Sequence, residues 1–590
     1  MNKEKKIIKW FILPVLLAVY CFWDVNKGVD LSDTGYNLER FYNFMESAGS
    51  GLSTFWSNYI GYLFTKLPGA DSWLGMMCYC TLIILAIVLI AYFFCIQFLN
   101  CYVVFLCEIV ALAMFWIPAS VLYDSLTFLF LEVAVVFLYY AIERKRDWYF
   151  IYAGICLGIN ALVRMPNITE VILILLVWCY AWLNREALKS AGKLPWAVSK
   201  TGLCITGYLC GVVGSLLVSL QFSDLEMYGQ TVNRLSGHTS VEGYGLSQMA
   251  FGTLIYIFGH MKYLLMFAAV MGIAVGMLWI GNKLIEDANL KRWLAGVVYL
   301  LATCSSIVIL YISYKKWEVF STDYEQYTSI KGIMALVYLC GIMISVVNMC
   351  YKAQKKDILA GLLYLILLWV IPLGSNNQIY LDISNSFLLL PLICYLIKNL
   401  LEKMRERTVF KVVMAPIAVL VFVQTVLFGF HFSFGESDIN CKFEKTNILR
   451  GMWTSEEKVA ALDGLLHFME NTDIQHKGIL QYCDSPGLIY VLQEQRGIER
   501  SWPELSTYSP QAFVQELELI EEEREYPFII LGNDLGDFYK VAYGESDVYV
   551  ENEDIYRADE KIRALLLFID ENGYEIVYDD EKTYTVFAVY

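Results

Sequence analysis

Asp30-Leu31-Ser32-Asp33-Thr34-Gly35-Tyr36 places two carboxylates three residues apart, just beyond a first apolar run that ends at Trp23-Asp24. An aspartate held where a membrane helix emerges into water is partly desolvated. That raises its pKa and makes it a better proton acceptor, so the chemistry open to this segment is general-base catalysis. The same residues also suit a structural task. Asp33 or Thr34 could accept hydrogen bonds from the free backbone N–H groups at the start of an amphipathic segment, Tyr36 to Met45.

Other polar residues fall where an apolar chain should have few. Arg164, in Leu162-Val163-Arg164-Met165-Pro166-Asn167, sits at the end of an apolar run, and Pro166 breaks the helix there. An arginine at that depth is costly unless it is paired or touches a phosphate; snorkelling to the surface is the alternative. Tyr123-Asp124-Ser125 brings a further acid that could pair with Arg164 or approach the same site. A later loop holds Asp224, Glu226, Tyr228, Gln230, Arg234 and His238. With no second His or Cys at ligand spacing, His238 reads as an ordinary loop residue rather than a metal ligand. Lys315 and Lys316 fall on the side where positive charge is unusual, which calls for an anion nearby. Gly374-Ser375-Asn376-Asn377-Gln378 offers uncharged hydrogen-bonding groups of the kind that sugars use.

The elements that must position these residues are apolar helices. Of 590 residues 57% are hydrophobic and only 17% charged, with a mean hydropathy of +0.50, too apolar for a soluble protein of this size. Runs long enough to span a bilayer are expected at 7–23, 73–98, 101–117, 121–142, 149–163, 167–183, 201–220, 253–281, 293–313, 333–350, 358–373, 385–399 and 411–433; the expectation is a polytopic α-helical membrane protein of about 13 spans. Basic groups at Lys3–Lys9, Arg144–Arg146, Arg185–Lys200, Lys283–Arg292, Lys352–Lys356 and Lys398–Lys411 all fall on one side if the spans alternate. The positive-inside rule makes that side cytoplasmic, the N-terminus included. No small-x-small cleavage site closes the first run, so it reads as an uncleaved helix. The first outer loop, 24–72, carries aromatics at near-helical spacing over Tyr36–Met45 and Leu52–Leu67, as helices lying in the membrane interface would.

The net charge of −15 belongs to the tail: from residue 434 there are 33 acidic and 13 basic residues, and before it 26 and 31. With no clustered basic face, nucleic acid is excluded as a partner. Residues 434–590 alternate helix and strand signals. Helices are expected at Ser455–Met469, Gly487–Leu492, Ser509–Glu523 and Asp559–Ile569. Strands are expected at Gly478–Tyr482 and Tyr526–Leu531, with a closing hairpin of Tyr574–Tyr578 and Thr583–Tyr590, which makes a small extracytoplasmic α/β domain. Its Gly532-Asn533-Asp534-Leu535-Gly536 lacks the lysine of a phosphate-binding loop and the third glycine of a dinucleotide motif. No cofactor is expected, and no residue set indicates a metal. The sixteen cysteines are mostly scattered in apolar runs; Cys441 and Cys483 are the only pair in the tail that could bridge.

An uncleaved first helix, an outer aspartate after it, interfacial helices in the first loop, many further spans and an outer C-terminal α/β domain together resemble the GT-C superfamily. These are membrane glycosyltransferases that use lipid-linked sugars, among them the protein O-mannosyltransferases and the aminoarabinose transferase of lipid A. Asp33-Thr34-Gly35-Tyr36 is similar to their first-loop acidic motif. Leu126-Thr127-Phe128 after Tyr123-Asp124, and Gly154-xxx-Gly158 leading to Arg164-Met165-Pro166, resemble recurring features of their middle helices. The detailed resemblance covers residues 1–260, and an adjacent Asp-Glu pair is missing from the first loop, so Asp30 and Asp33 are both candidate acids.

The resemblance implies an inverting transfer from a polyprenyl-phosphate-linked sugar to a glycan, lipid or protein acceptor outside the cytoplasm, within membrane lipid. Asp33 is preferred as base over Asp30, because Gly35 lets a substrate approach the backbone and Tyr36 can stack on a sugar. Arg164, Lys315 and Lys316 would hold the donor phosphate by their charge, with Tyr36, Asp124, Arg234, His238, Asn376 and Asn377 as further substrate contacts. A lipid or sugar transporter, and a non-catalytic envelope protein that binds glycan, are the competing readings.

Overall fold

The computed structural model describes residues 3–47, 52–184, 193–222, 246–263, 323–403, 407–445, 448–543 and 553–590, with isolated positions between 272 and 321. Lys3–Ile7, Ile8–Ile12 and Leu13–Cys21 run on as one helical rod whose middle segment is a π-helix. The ring of Pro14 would press on the carbonyl four residues back, and the widened π turn lies where that clash falls. Five helices among the described residues are long and apolar enough to cross a membrane: Trp73–Cys95, Leu122–Arg144, Met165–Leu183, Leu194–Ser219 and Tyr327–Cys350. Large apolar side chains such as Trp182, Leu209 and Ile255 stay exposed on the helical part, as lipid contact allows and water would not. The chain is a multi-pass membrane protein.

Two close helix contacts set the frame for the polar residues. A Cβ at Gly154 would lie 2.0 Å from the Cys204 carbonyl, and one at Gly158 2.2 Å from that of Tyr208. The Gly-xxx-Gly spacing therefore lets Asp147–Asn160 lie directly against Lys193–Ser219. The Asp147–Asn160 helix ends just before Arg164, and Pro166 opens a 3₁₀ segment, Met165–Ile174, that continues as α-helix over Leu175–Leu183.

In the tail, β1 (Cys441–Lys442) and β2 (Trp453–Thr454) pair antiparallel. β3 (Ile479–Tyr482), β4 (Phe528–Gly532), β5 (Glu575–Asp579) and β6 (Tyr584–Ala588) form a sheet in the order β3-β4-β6-β5, in which β3 and β4 run parallel and the other pairs antiparallel. Helices Glu456–Asn471 and Pro510–Glu523 begin with the Ser455 and Ser509 hydroxyls accepting from backbone N–H groups three residues on. Cys441 and Cys483, the pair in the tail that could bridge, are both free thiols.

The tail does not pack as a separate body. Val29, Leu31, Leu38 and Phe41 of the first loop share one buried cluster with Leu449, Leu462, Ile489 and Val586 of the tail. Asp33–Tyr42 is thus covered by protein on its inner face, which goes beyond the interfacial helix expected from its aromatics.

Candidate active site

The first-loop turn separates the two aspartates. Asp30 is buried, and its Oδ1 accepts from the Ser32 backbone N–H at 3.0 Å and the Ser32 hydroxyl at 2.5 Å. Its Oδ2 accepts from Thr34 N–H at 2.6 Å, and its carbonyl from Gly35 N–H at 3.0 Å. Asp30 therefore caps the Asp33–Tyr42 helix, satisfying donors that the helix leaves open. Both of its carboxylate oxygens thus accept hydrogen bonds from the turn.

Asp33 stands in the first turn of that helix, half-buried, and among the described residues its carboxylate meets no hydrogen-bond donor. Burial, then the charge of Asp30, then that of Asp124 push its pKa up to about 6. A carboxylate so placed is ionised at neutral pH yet a far better proton acceptor than a solvated aspartate.

Arg164 is mostly withdrawn from solvent. One guanidinium nitrogen lies 3.2 Å from the buried Asp124 carboxylate, and another donates to the Ser375 hydroxyl at 2.9 Å. Its face lies 5.9 Å from the Tyr123 ring. Arg164 thus pairs with Asp124 instead of snorkelling to the surface, and Asp124 is its buried counter-ion. Behind the arginine, Asn160 donates to Glu170 at 2.6 Å and Asn167 to the Thr127 hydroxyl at 2.7 Å, a buried polar network that holds the broken helix in place. Ser375 also accepts from Asn377 N–H at 3.1 Å, so the turn bearing Asn376 and Asn377 is tied to Arg164. Asn376 is exposed and Asn377 half-buried.

Tyr36 is sandwiched rather than open: Arg40 lies 5.3 Å from its ring, and Trp502 of the tail meets it edge-on at 5.6 Å. Gly35 and Gly487 touch, and a Cβ on Gly35 would fall 2.4 Å from the Gly487 Cα. The fully buried Glu39 accepts from Arg496 and, at 3.0 Å, from the Ser501 hydroxyl. The buried Glu436 accepts from Val29 N–H at 3.0 Å and from the Thr454 hydroxyl at 2.7 Å. These contacts fix the Asp33 helix from the tail side.

A cation that the sequence reading passed over is Lys331. Its ammonium lies 4.3 Å from the Tyr256 ring and 4.7 Å from the Tyr380 ring, with no carboxylate partner among the described residues. The Trp116 indole donates to the Tyr380 carbonyl at 3.2 Å and stacks on Phe434, and a Cβ at the neighbouring Gly435 would approach Asp30. Aromatic rings thus connect Lys331 to the aspartate turn. Its only signal in the sequence is a lysine two residues before the apolar run 333–350. Lys315, Lys316, Arg234 and His238 lie outside the described residues. Among the described residues no group of three His, Cys, Asp or Glu side chains is arranged to hold a metal ion.

No protein-family model matches the chain, and no curated protein matches it. Among solved structures it is similar to an oligosaccharyltransferase from Archaeoglobus fulgidus, in complex with Zn and sulfate, at 11% identity and a TM-score of 0.47, covering 97% of this chain and 72% of that one. It is also similar to ArnT from Cupriavidus metallidurans in the apo state, at 12% identity and a TM-score of 0.42, covering 98% of each chain. Against the same protein bound to undecaprenyl phosphate the identity is 12% and the TM-score 0.40, covering 99% of this chain and 98% of that one.

Proposed function

We propose that the chain is an integral membrane glycosyltransferase that moves a sugar from a polyprenyl-phosphate carrier to an acceptor hydroxyl outside the cytoplasm, with inversion. The observation that carries the reading is a half-buried carboxylate that meets no donor among the described residues, Asp33, within electrostatic reach of Asp124, the partner of Arg164. The proposed topology of about thirteen spans, N-terminus cytoplasmic and tail outside, is supported by the one-sided basic groups.

In the proposed step the Asp33 carboxylate takes the acceptor's proton as the acceptor oxygen bonds to the anomeric carbon. The bond from that carbon to the phosphate oxygen breaks, and polyprenyl phosphate leaves with the electron pair. Arg164, with N–H donors beyond those that Asp124 and Ser375 engage, meets the growing phosphate charge, and Lys331 is the second cation available to it. Tyr36, Asn376 and Asn377 border the sugar, and Asp30 holds the loop.

The test is turnover in liposomes containing the full chain and a radiolabelled polyprenyl-phosphate sugar, with a panel of glycan, lipid and peptide acceptors. Label should pass to an acceptor with release of polyprenyl phosphate. Donor that is carried across the bilayer intact, with no covalent transfer to any acceptor, would replace the enzyme by a transporter.

A further inference from the structure

The tail domain holds a second polar site. The carboxyl ends of the parallel strands β3 and β4 open on a cavity of about 500 Å³. Ligands of α/β sheets collect at this edge, where the chain leaves adjacent strands in loops free to vary. The volume falls in the range of about 300–1,000 Å³ typical of small-molecule sites.

The lining decides the class of ligand. Asp484, Glu504, Asp534 and Asp559 face a single lysine, Lys582. Lys561, buried, donates to the carbonyls of Pro503, Leu505 and Tyr508 at 2.6, 3.2 and 3.4 Å and lies within electrostatic reach of Asp559, Glu504 and Asp484, so two ammonium charges stand against four carboxyl groups. A phosphate or uronate would meet net repulsion here. Hydroxyl groups fit better, because carboxylates accept from paired hydroxyls, and Tyr482 and Tyr556 line the same cavity. Burial raises the pKa of Glu504 to about 7, so at neutral pH it can donate to a hydroxyl as well as accept from one.

The cavity also has a route to the first loop. The Trp502 indole donates to the Asp484 carboxylate at 2.9 Å, and its ring meets Tyr36, three residues from Asp33. We propose that this cavity binds an uncharged saccharide and seats the outlying residues of a glycan acceptor whose reacting hydroxyl lies at Asp33. The acceptor role rests on the transferase reading; saccharide binding does not.

Saturation-transfer NMR on the full chain in detergent, without donor lipid, tests it with uncharged oligosaccharides and their uronate and phosphorylated counterparts. Uncharged saccharides should bind. Asp534→Lys, on an exposed side chain, and the isosteric Glu504→Gln should each weaken binding about tenfold, as expected when a charged hydrogen bond is lost. Binding of none of the uncharged saccharides, a preference for the anionic ones, or affinity unaltered in both cavity variants would overturn the proposal even if transfer persists. Saccharide binding beside a complete lack of sugar transfer would support the cavity and sink the transferase.

Discussion

At the end of the membrane helices Asp33, Asp124 and Arg164 share one half-buried junction; at the edge of β3 and β4, four carboxylates face Lys582. Acidic residues dominate both places, and burial raises a carboxyl pKa in each, to about 6 for Asp33 and about 7 for Glu504. They differ in the cation. In the first, a guanidinium is held between Asp124 and Ser375. In the second, the buried Lys561 donates to backbone carbonyls within electrostatic reach of three of the carboxyl groups. Carboxylate count alone therefore does not decide what such a place can bind; the placement of positive charge does.

The sharpest way to break this contrast is at Asp33. Asp33→Asn keeps the size of the side chain and removes the base, so turnover should fall by about 100- to 10,000-fold, with donor binding retained. The pH profile carries the same information. With a pKa of about 6, Asp33 is protonated below that pH and cannot accept a proton, so wild-type kcat/KM should rise from acid toward neutral pH through about 6. The residual rate of Asp33→Asn should lack that limb. Wild-type turnover in Asp33→Asn would reduce the junction to a structural polar cluster.

Arg164→Ala should weaken donor binding by about tenfold or more, the loss expected from a charge-assisted hydrogen bond, and leave acceptor affinity unchanged. Because the variant strands the buried Asp124 carboxylate, Arg164→Ala with Asp124→Asn should be measured beside it, by lipid-donor titration. Equal donor affinity in wild type and the double variant would remove the phosphate role.

The smallest effect is expected at Asp30. Asp30→Asn replaces one acceptor oxygen of the cap by a donor facing N–H groups, at a cost of about 1 kcal/mol of stability and a few-fold at most in rate. Thermal unfolding and turnover read together check it. A rate loss as large as that of Asp33→Asn would restore Asp30 as a second acid of the reaction.

Local pattern was enough to locate most elements. Apolar runs predicted helices that the structure has at Trp73–Cys95, Leu122–Arg144 and Ser386–Lys403. Ser455 and Ser509 marked helix starts, and short apolar runs marked β3 to β6, because caps and such runs depend on residues a few positions apart. The first-loop acids and Arg164 could be singled out for the same reason: charge in an apolar context is visible in the chain itself.

The turn that engages Asp30 is local, closed by Ser32 and Thr34, but what the other charges meet was decided only by tertiary contacts. Asp30 and Asp33 are the same residue type in the same turn, and the backbone path closes on one of them. Arg164 finds Asp124 40 positions away and Ser375 211 away, and Glu39 finds Arg496 457 away. Lys331, passed over in the sequence, lies between the rings of Tyr256 and Tyr380, far apart in the chain. Desolvation and ion pairing depend on neighbours in space, and for these side chains those neighbours lie on other helices or in the tail.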